Sequence, residues 1–251
     1  MGSWRYSELR ADGFSANQIR DGVRDGLLHR VAPGLYTDLA SPPLAEKLRA
    51  LRSILPTHAV FAFQTAAELY GFGLPPSPEV HVMTPEGTPF ADIRGVKSHR
   101  VVLPIGDPVE VAGLPCVPPE RCAVDLARTG PRIDTLAVID AALRTGCCTP
   151  DSLVAEVARH DGLRGVRQAR LAVPHGDPRS ECLQESQLRF ILIDGGLPPP
   201  EPQLWVPDEW GQPRYRLDMG YRERKVGVEY DGRSQYHDAA AVVATIRQAL
   251  R

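Results

Sequence analysis

The stretch from Arg214 to His237, RYRLDMGYRERKVGVEYDGRSQYH, alternates apolar and acidic side chains with a period of two on either side of a charged turn. A helix has no use for that period, because only a strand sends successive side chains to opposite faces. Two strands are therefore predicted. On the first, Leu217, Met219 and Tyr221 take one face and leave Asp218 on the other. On the second, Val226, Val228 and Tyr230 oppose Glu229 and Asp231. If the apolar faces pack together, three carboxylates crowd one surface. Crowded like charges call for protons or a cation, and oxygen ligands of this kind suit Mg²⁺, Mn²⁺ or Ca²⁺. A turn-forming Asp-Gly on a solvated acidic strand is the competing explanation of the same residues.

With 251 residues, 43% of them hydrophobic and 24% charged, the chain has room for one large domain or two to three small ones. No apolar run reaches the length of a bilayer span, and MGSWRYSELR lacks a signal peptide's hydrophobic segment. A cytoplasmic protein with no membrane partner is expected. The five cysteines show no CxxC spacing and read as reduced thiols, not as a zinc site. A net charge of −2 excludes coating nucleic acid by bulk electrostatics, but it allows a local basic face. The 24 prolines punctuate loops throughout.

From Ser7 to Tyr36 the pattern is helix, turn, helix and a two-stranded wing. Ser15 and Gln18 form the S-x-x-Q capping box of the second helix, and Gly26 ends it. Ile19, Val23 and Leu27 make its inward stripe. Asn17, Gln18, Arg20 and Arg24 share the outer face, where such side chains contact phosphates and base edges. Asp21 and Asp25 set acid beside that face. The run from Gly13 to Tyr36 resembles the winged helix-turn-helix at the start of AbiEi-type antitoxin proteins: a Gly-Ser turn, an IR-bearing helix, a G-L-x-x-R exit and a P-G-x-Y wing. That resemblance implies DNA as a partner, with a cognate toxin or self-association as others.

Leu44 to Leu55 reads as an amphipathic helix. Val60 to Phe63 reads as a strand leading into a helix capped by Thr65 with Glu68. EVHVM, KSHRVVLP and VEVAGLPCV read as strands, and PPERCAVDLART as a helix with proline in its first turn. The stretch from Pro118 to Arg128 is similar to the middle region of AbiEi-like proteins. His81 and His99 read as packed or exposed side chains, and no catalytic cluster is evident here. Helices follow over Ile133–Leu143, over Pro150–Ala158 with Thr149 as cap, and over Leu163–Val173. PHGDPRS then reads as a polar domain boundary.

Ser180 to Asp194 is a helix stopped by Gly195 and Gly196, with Glu181 and Glu185 one turn apart. The order E-S-x-x-R from Glu185 to Arg189, G-L-P-x-P-x-x-Q from Gly196 to Gln203, R-x-D-x-x-Y from Arg216 to Tyr221 and V-E-Y-D-G-x-x-x-x-H from Val228 to His237 is similar to a domain related to very-short-patch-repair endonucleases. Their fold is the PD-(D/E)XK restriction-endonuclease-like one. The resemblance implies Glu185 as the helical acid, Asp218 as the main metal ligand, Glu229 as a further ligand with Asp231 beside it, and His237 as base or leaving-group acid. Mg²⁺ or Mn²⁺ would polarise the phosphate. The lysine of the E-x-K signature is absent, since Asp231 follows Glu229 by two, and Lys225 is not a motif match. The domain also stops short of its relatives' final helix and strand.

These readings combine into an α/β (α+β) chain of three parts: a winged helix-turn-helix over 1–40, an α/β connector over 41–175, and a shortened endonuclease-like domain with a mixed sheet over 180–251. The expected function is a DNA-binding protein with a metal-dependent endodeoxyribonuclease-like domain. Two alternatives stand beside it. One is a transcriptional regulator or antitoxin whose nuclease-like domain is silent, and the other is an interaction module that does not bind DNA.

Overall fold

Ser15 has an extended backbone, and its hydroxyl accepts from the Gln18 amide at 3.2 Å while the Gln18 side chain accepts from the Ser15 amide at 2.8 Å. This reciprocal box fixes where the second helix starts. The computed structural model in which it is seen describes residues 2–231 and 239–251. Around the box the chain forms β1 (Ser3–Arg5), α1 (Tyr6–Ala11), α2 (Ala16–Arg24), β2 (His29–Ala32) and β3 (Leu35–Thr37). The three strands make an antiparallel sheet in the order β1-β3-β2. Leu9, Ile19 and Tyr36 form its core, with Trp4, Val23 and Leu28 packed against them.

Leu27 does not join that core. It is 72% exposed, and Leu28 packs in its stead. The helix has already ended at Arg24, and Gly26 has turned the backbone to φ +74°, so the four-residue period no longer applies.

The chain divides into two units by its internal contacts, Met1–Leu69 with Pro75–Pro118, and Tyr70–Leu74 with Pro119–Arg251. The first continues with α3 (Leu44–Arg52), β4 (Val60–Phe61), α4 (Phe63–Leu69), β5 (Val80–Pro85), β6 (Val96–Val101), β7 (Val109–Val111) and β8 (Leu114–Cys116). Its strands order as β6-β5-β4-β8-β7, with β5/β6 and β4/β8 parallel. Thr65, expected to cap α4, lies inside that helix and accepts from the His81 amide at 2.8 Å.

The second unit holds α5 (Pro119–Thr129), α6 (Thr135–Arg144), α7 (Pro150–Arg159), α8 (Val166–Ala172), α9 (Leu183–Asp194), β9 (Glu201–Pro207), β10 (Pro213–Tyr221), β11 (Val226–Val228) and α10 (Ala239–Ala249). Thr149 caps α7 by accepting from the Ser152 amide. The core between α9, α10 and the sheet consists of Leu188, Ile191, Leu192, Leu197, Met219, Val228 and Val243. Among the described residues this sheet is antiparallel throughout, β11-β10-β9, where a mixed sheet was expected. Its strands follow one another through short connections, and parallel pairing would need a long crossover. Among the described residues no helix is long and apolar enough to cross a membrane.

Candidate nucleic-acid interface and acidic sheet face

Asn17, Gln18, Arg20 and Arg24 are all exposed on α2, whose opposite side buries Ile19. Their chemistry is unequal. Gln18 is occupied by the capping box. Arg24 pairs with Asp21 at 2.9 Å and with Asp25 at 2.9 Å, so its charge is locally balanced. Among the described residues Arg20 bonds an amide oxygen, Asn17 Oδ1 at 3.1 Å, and no carboxylate. Asn17 and Arg20 thus present a cationic donor group that no carboxylate of the helix neutralises. On the ribbon that follows, the exposed Arg30 lies 5.7 Å from the Tyr36 ring centroid.

The acidic hairpin forms with the predicted alternation as far as Val228, where β11 ends, so Glu229, Tyr230 and Asp231, expected on the second strand, follow it instead. Met219 pairs with Val228, both buried, and Glu229 is the first residue after β11. Gln203 falls between the partners of Leu217 and Met219, which sets it in one row with Asp218. Asp218 Oδ2 accepts from the Tyr230 amide at 2.7 Å, which fastens the chain leaving β11. Asp231 is exposed. His237 lies outside the described residues.

Glu185 reaches this row in a different way from the one the resemblance implies. It is buried in the first turn of α9, where Oε2 accepts from the Glu181 amide at 2.9 Å and from Gln203 Nε2 at 3.0 Å. Cys182 Sγ donates to its other oxygen at 3.3 Å. The carboxylate therefore anchors the start of its own helix and ties it to β9. Its neighbour Glu181 pairs with Arg216 at 2.8 Å. Among the described residues no group of three or more His, Cys, Asp or Glu side chains is placed to hold a metal ion. Among the described residues no donor set for Mg²⁺ or Mn²⁺ is assembled, and the Glu185 carboxylate is engaged by three protein donors.

Three polar clusters escape a reading of motifs. In the first, Asp125 is fully buried and accepts from Arg121 Nε at 2.5 Å and Arg128 Nε at 2.7 Å, with His160 Nε2 at 3.4 Å. Burial pushes its carboxyl up, but the His160 imidazole and the two guanidinium groups outweigh that and hold it at about 2. The spacing Arg121, Asp125, Arg128 in PERCAVDLART was the available signal, since residues three and four apart share a helix face. In the second, Arg189 meets Asp140 inside the unit. In the third, His81 contacts Ser77 Oγ and His99 Nε2, each at 3.0 Å, with Phe63 stacked 4.0 Å from the His99 ring. Burial lowers the His81 imidazole's proton affinity, with Lys97 adding to the effect. All five cysteines are free thiols, and burial raises Cys116 and Cys148 to about 12.

Residues 58–173 match the family model described as the AbiEi antitoxin C-terminal domain. Two Mycobacterium tuberculosis proteins described as uncharacterized, MT2308 and Rv2248, are each 34% identical over 219 residues, covering 87% of this chain and 79% of the relative. The crystal structure of the RV2827C protein from Mycobacterium tuberculosis aligns with 17% identity and a TM-score of 0.49, over 81% of this chain and 79% of that one.

Proposed function

The chain belongs to one family with the two Mycobacterium tuberculosis proteins, and from that premise we propose that it is a DNA-binding regulator of the AbiEi antitoxin type. The observation that carries this reading is the match of residues 58–173 to the antitoxin domain. Supporting it, the segment ahead of that domain presents α2 as a solvent-facing helix backed by a small core, followed by an antiparallel ribbon. In this reading the N-terminal part is a winged helix. Asn17 and Arg20 contact base edges in the major groove, and Arg24 exchanges Asp21 and Asp25 for a phosphate. Arg30 lies on the ribbon beside the helix and meets the flanking backbone. The partner on the protein side is a cognate toxin, whose effect the chain counteracts.

Anisotropy of a labelled duplex taken from upstream of the gene tests the first part. Binding should weaken steeply with salt, because phosphate contacts release counterions. Arg20→Ala should reduce affinity about tenfold or more by removing a base contact. Absence of saturable binding to any upstream duplex at low salt overturns the reading. Rescue of growth on co-expression with a toxin encoded beside the gene tests the second part.

A second reading, hydrolysis of DNA phosphodiesters by the C-terminal unit, rests on the bond by which Asp218 holds the acidic stretch that follows β11. In the regulator reading the same unit is a silent platform, with the Glu185 carboxylate serving as a structural anchor. Supercoiled plasmid incubated with the protein and Mg²⁺ or Mn²⁺ separates the two. Nicking by the wild type that is lost in Asp218→Ala would establish the hydrolase, and intact plasmid would leave the platform.

A further inference from the structure

The β9–β10 hairpin runs beyond the core that anchors it. Met219 is buried, whereas every residue from Glu209 to Arg216 is exposed. Two of the three tryptophans of the chain lie on this ribbon. Trp205 is 47% exposed, Trp210 74% and Tyr215 62%. Large aromatic side chains contribute most when buried, so three exposed rings on one projecting ribbon mark a surface that something else covers.

Arginine accompanies the rings. Trp205 pairs with Arg216 in the ladder, and the guanidinium carbon lies 6.0 Å from the ring centroid. Arg214 lies 5.9 Å from the Tyr215 ring centroid. Tyr215 pairs with Val206, one step along from Trp205, so the two aromatic–arginine pairs lie on opposite faces of the ribbon. Among the described residues Arg214 has no carboxylate partner within ion-pair distance, whereas Arg216 is held by Glu181. Of the two acids at the tip, Asp208 is turned inward, its Oδ1 accepting from the amides of Trp210 at 3.0 Å and Gln212 at 2.9 Å, while Glu209 is exposed.

We propose that the tip of this hairpin binds single-stranded nucleic acid, with bases stacked on Trp210 and Tyr215 and a phosphate met by Arg214. Beside Tyr215 stands a guanidinium with no carboxylate partner among the described residues, the combination that serves a base and its phosphate together. Duplex DNA hides the faces of its bases, so the rings favour an unpaired strand. The surface is separate from α2 and stands whether or not α2 reads an operator.

The test uses the full chain and a fluorescein-labelled thymidine oligomer of roughly 20 nucleotides, longer than a single stacking site. Saturable binding that weakens with salt and quenches tryptophan fluorescence is expected. Trp210→Ala with Tyr215→Ala should weaken it at least about tenfold while leaving the melting temperature unchanged, and Trp210→Phe should restore most of the loss. Arg214→Ala should lower the salt dependence by about one ion. No saturable binding at low salt overturns the proposal, as does binding that the double variant leaves intact. Loss of oligomer binding in Arg20→Ala with the rings unchanged would assign it to α2 and also overturn the proposal.

Discussion

Arg189 Nη2 lies 2.8 and 3.0 Å from the two carboxylate oxygens of Asp140, and both side chains are buried. The same nitrogen donates to the His175 carbonyl at 2.7 Å, and the Asp177 amide donates to Asp140 at 2.8 Å. The polar stretch after α8 is thereby fastened to both α6 and α9. Removing one partner leaves the other charge buried and uncompensated, which costs about 3–5 kcal/mol. Arg189→Met is expected to lower stability by that order, and Arg189→Met with Asp140→Leu to recover most of it. Urea denaturation of the four proteins of this cycle measures the coupling.

Burial holds the Asp140 carboxyl up at about 6, against the attraction of Arg189. The folded state therefore keeps a proton that the unfolded chain, with the ordinary value near 3.8, has already released. The stabilisation that this proton represents is complete below pH about 4 and is lost as pH rises through about 6. Asp140→Asn should flatten the fall of stability across that window, as read from melting temperature against pH.

Asp125 has the opposite sign. Its folded value of about 2 lies below the ordinary 3.8, so its contribution is complete above pH about 4 and disappears as pH falls toward 2. The size is on the order of 2 kcal/mol. Asp125→Asn should abolish this acid-limb loss while lowering stability at pH 7, because Arg121 then keeps a buried charge with a weaker partner.

The elements were legible where a period ran unbroken. The alternation from Leu217 to Val228 gave both strands and their buried face, and Ser15, Thr149 and Gly26 gave three helix ends. Leu27 was misplaced because a period holds only while its helix lasts. The role of Glu185 was hidden for another reason: residue spacing puts a carboxylate on a face, but what it bonds depends on Gln203, 18 positions away. Asp140 and Arg189 are 49 positions apart, and no local pattern joins them. Long-range pairs of this kind follow from the packing of α6 against α9, which the sequence does not spell out.

Gly165 has φ +80°, and a Cβ built there would lie 1.9 Å from the Arg128 carbonyl oxygen. Both the backbone conformation and the contact exclude a side chain, since the blocking atom belongs to another helix's backbone. Gly165→Ala is expected to destabilise the second unit by about 3 kcal/mol or more. Chemical denaturation should show it, whereas the same change at Gly162, also at positive φ but with open space around it, should cost only about 1 kcal/mol.

Glu185 offers the cleanest separation of anchor from metal ligand. Its carboxylate accepts from the Glu181 amide, Gln203 Nε2 and Cys182 Sγ, so truncation takes the acceptor from three part-buried donors. That loss amounts to about 1–3 kcal/mol, and Glu185→Ala should lower the melting temperature correspondingly in the absence of any metal. An anchor of this kind gains nothing from a divalent cation, because binding stabilises a fold only through a site the folded state possesses. Wild-type protein should therefore melt at the same temperature with and without Mn²⁺. A rise in melting temperature on adding Mn²⁺, present in the wild type and missing in Asp218→Ala, would return Asp218 to metal chemistry. Glu185 would then have to leave Gln203 to take part, and the helix start would loosen as the ion bound.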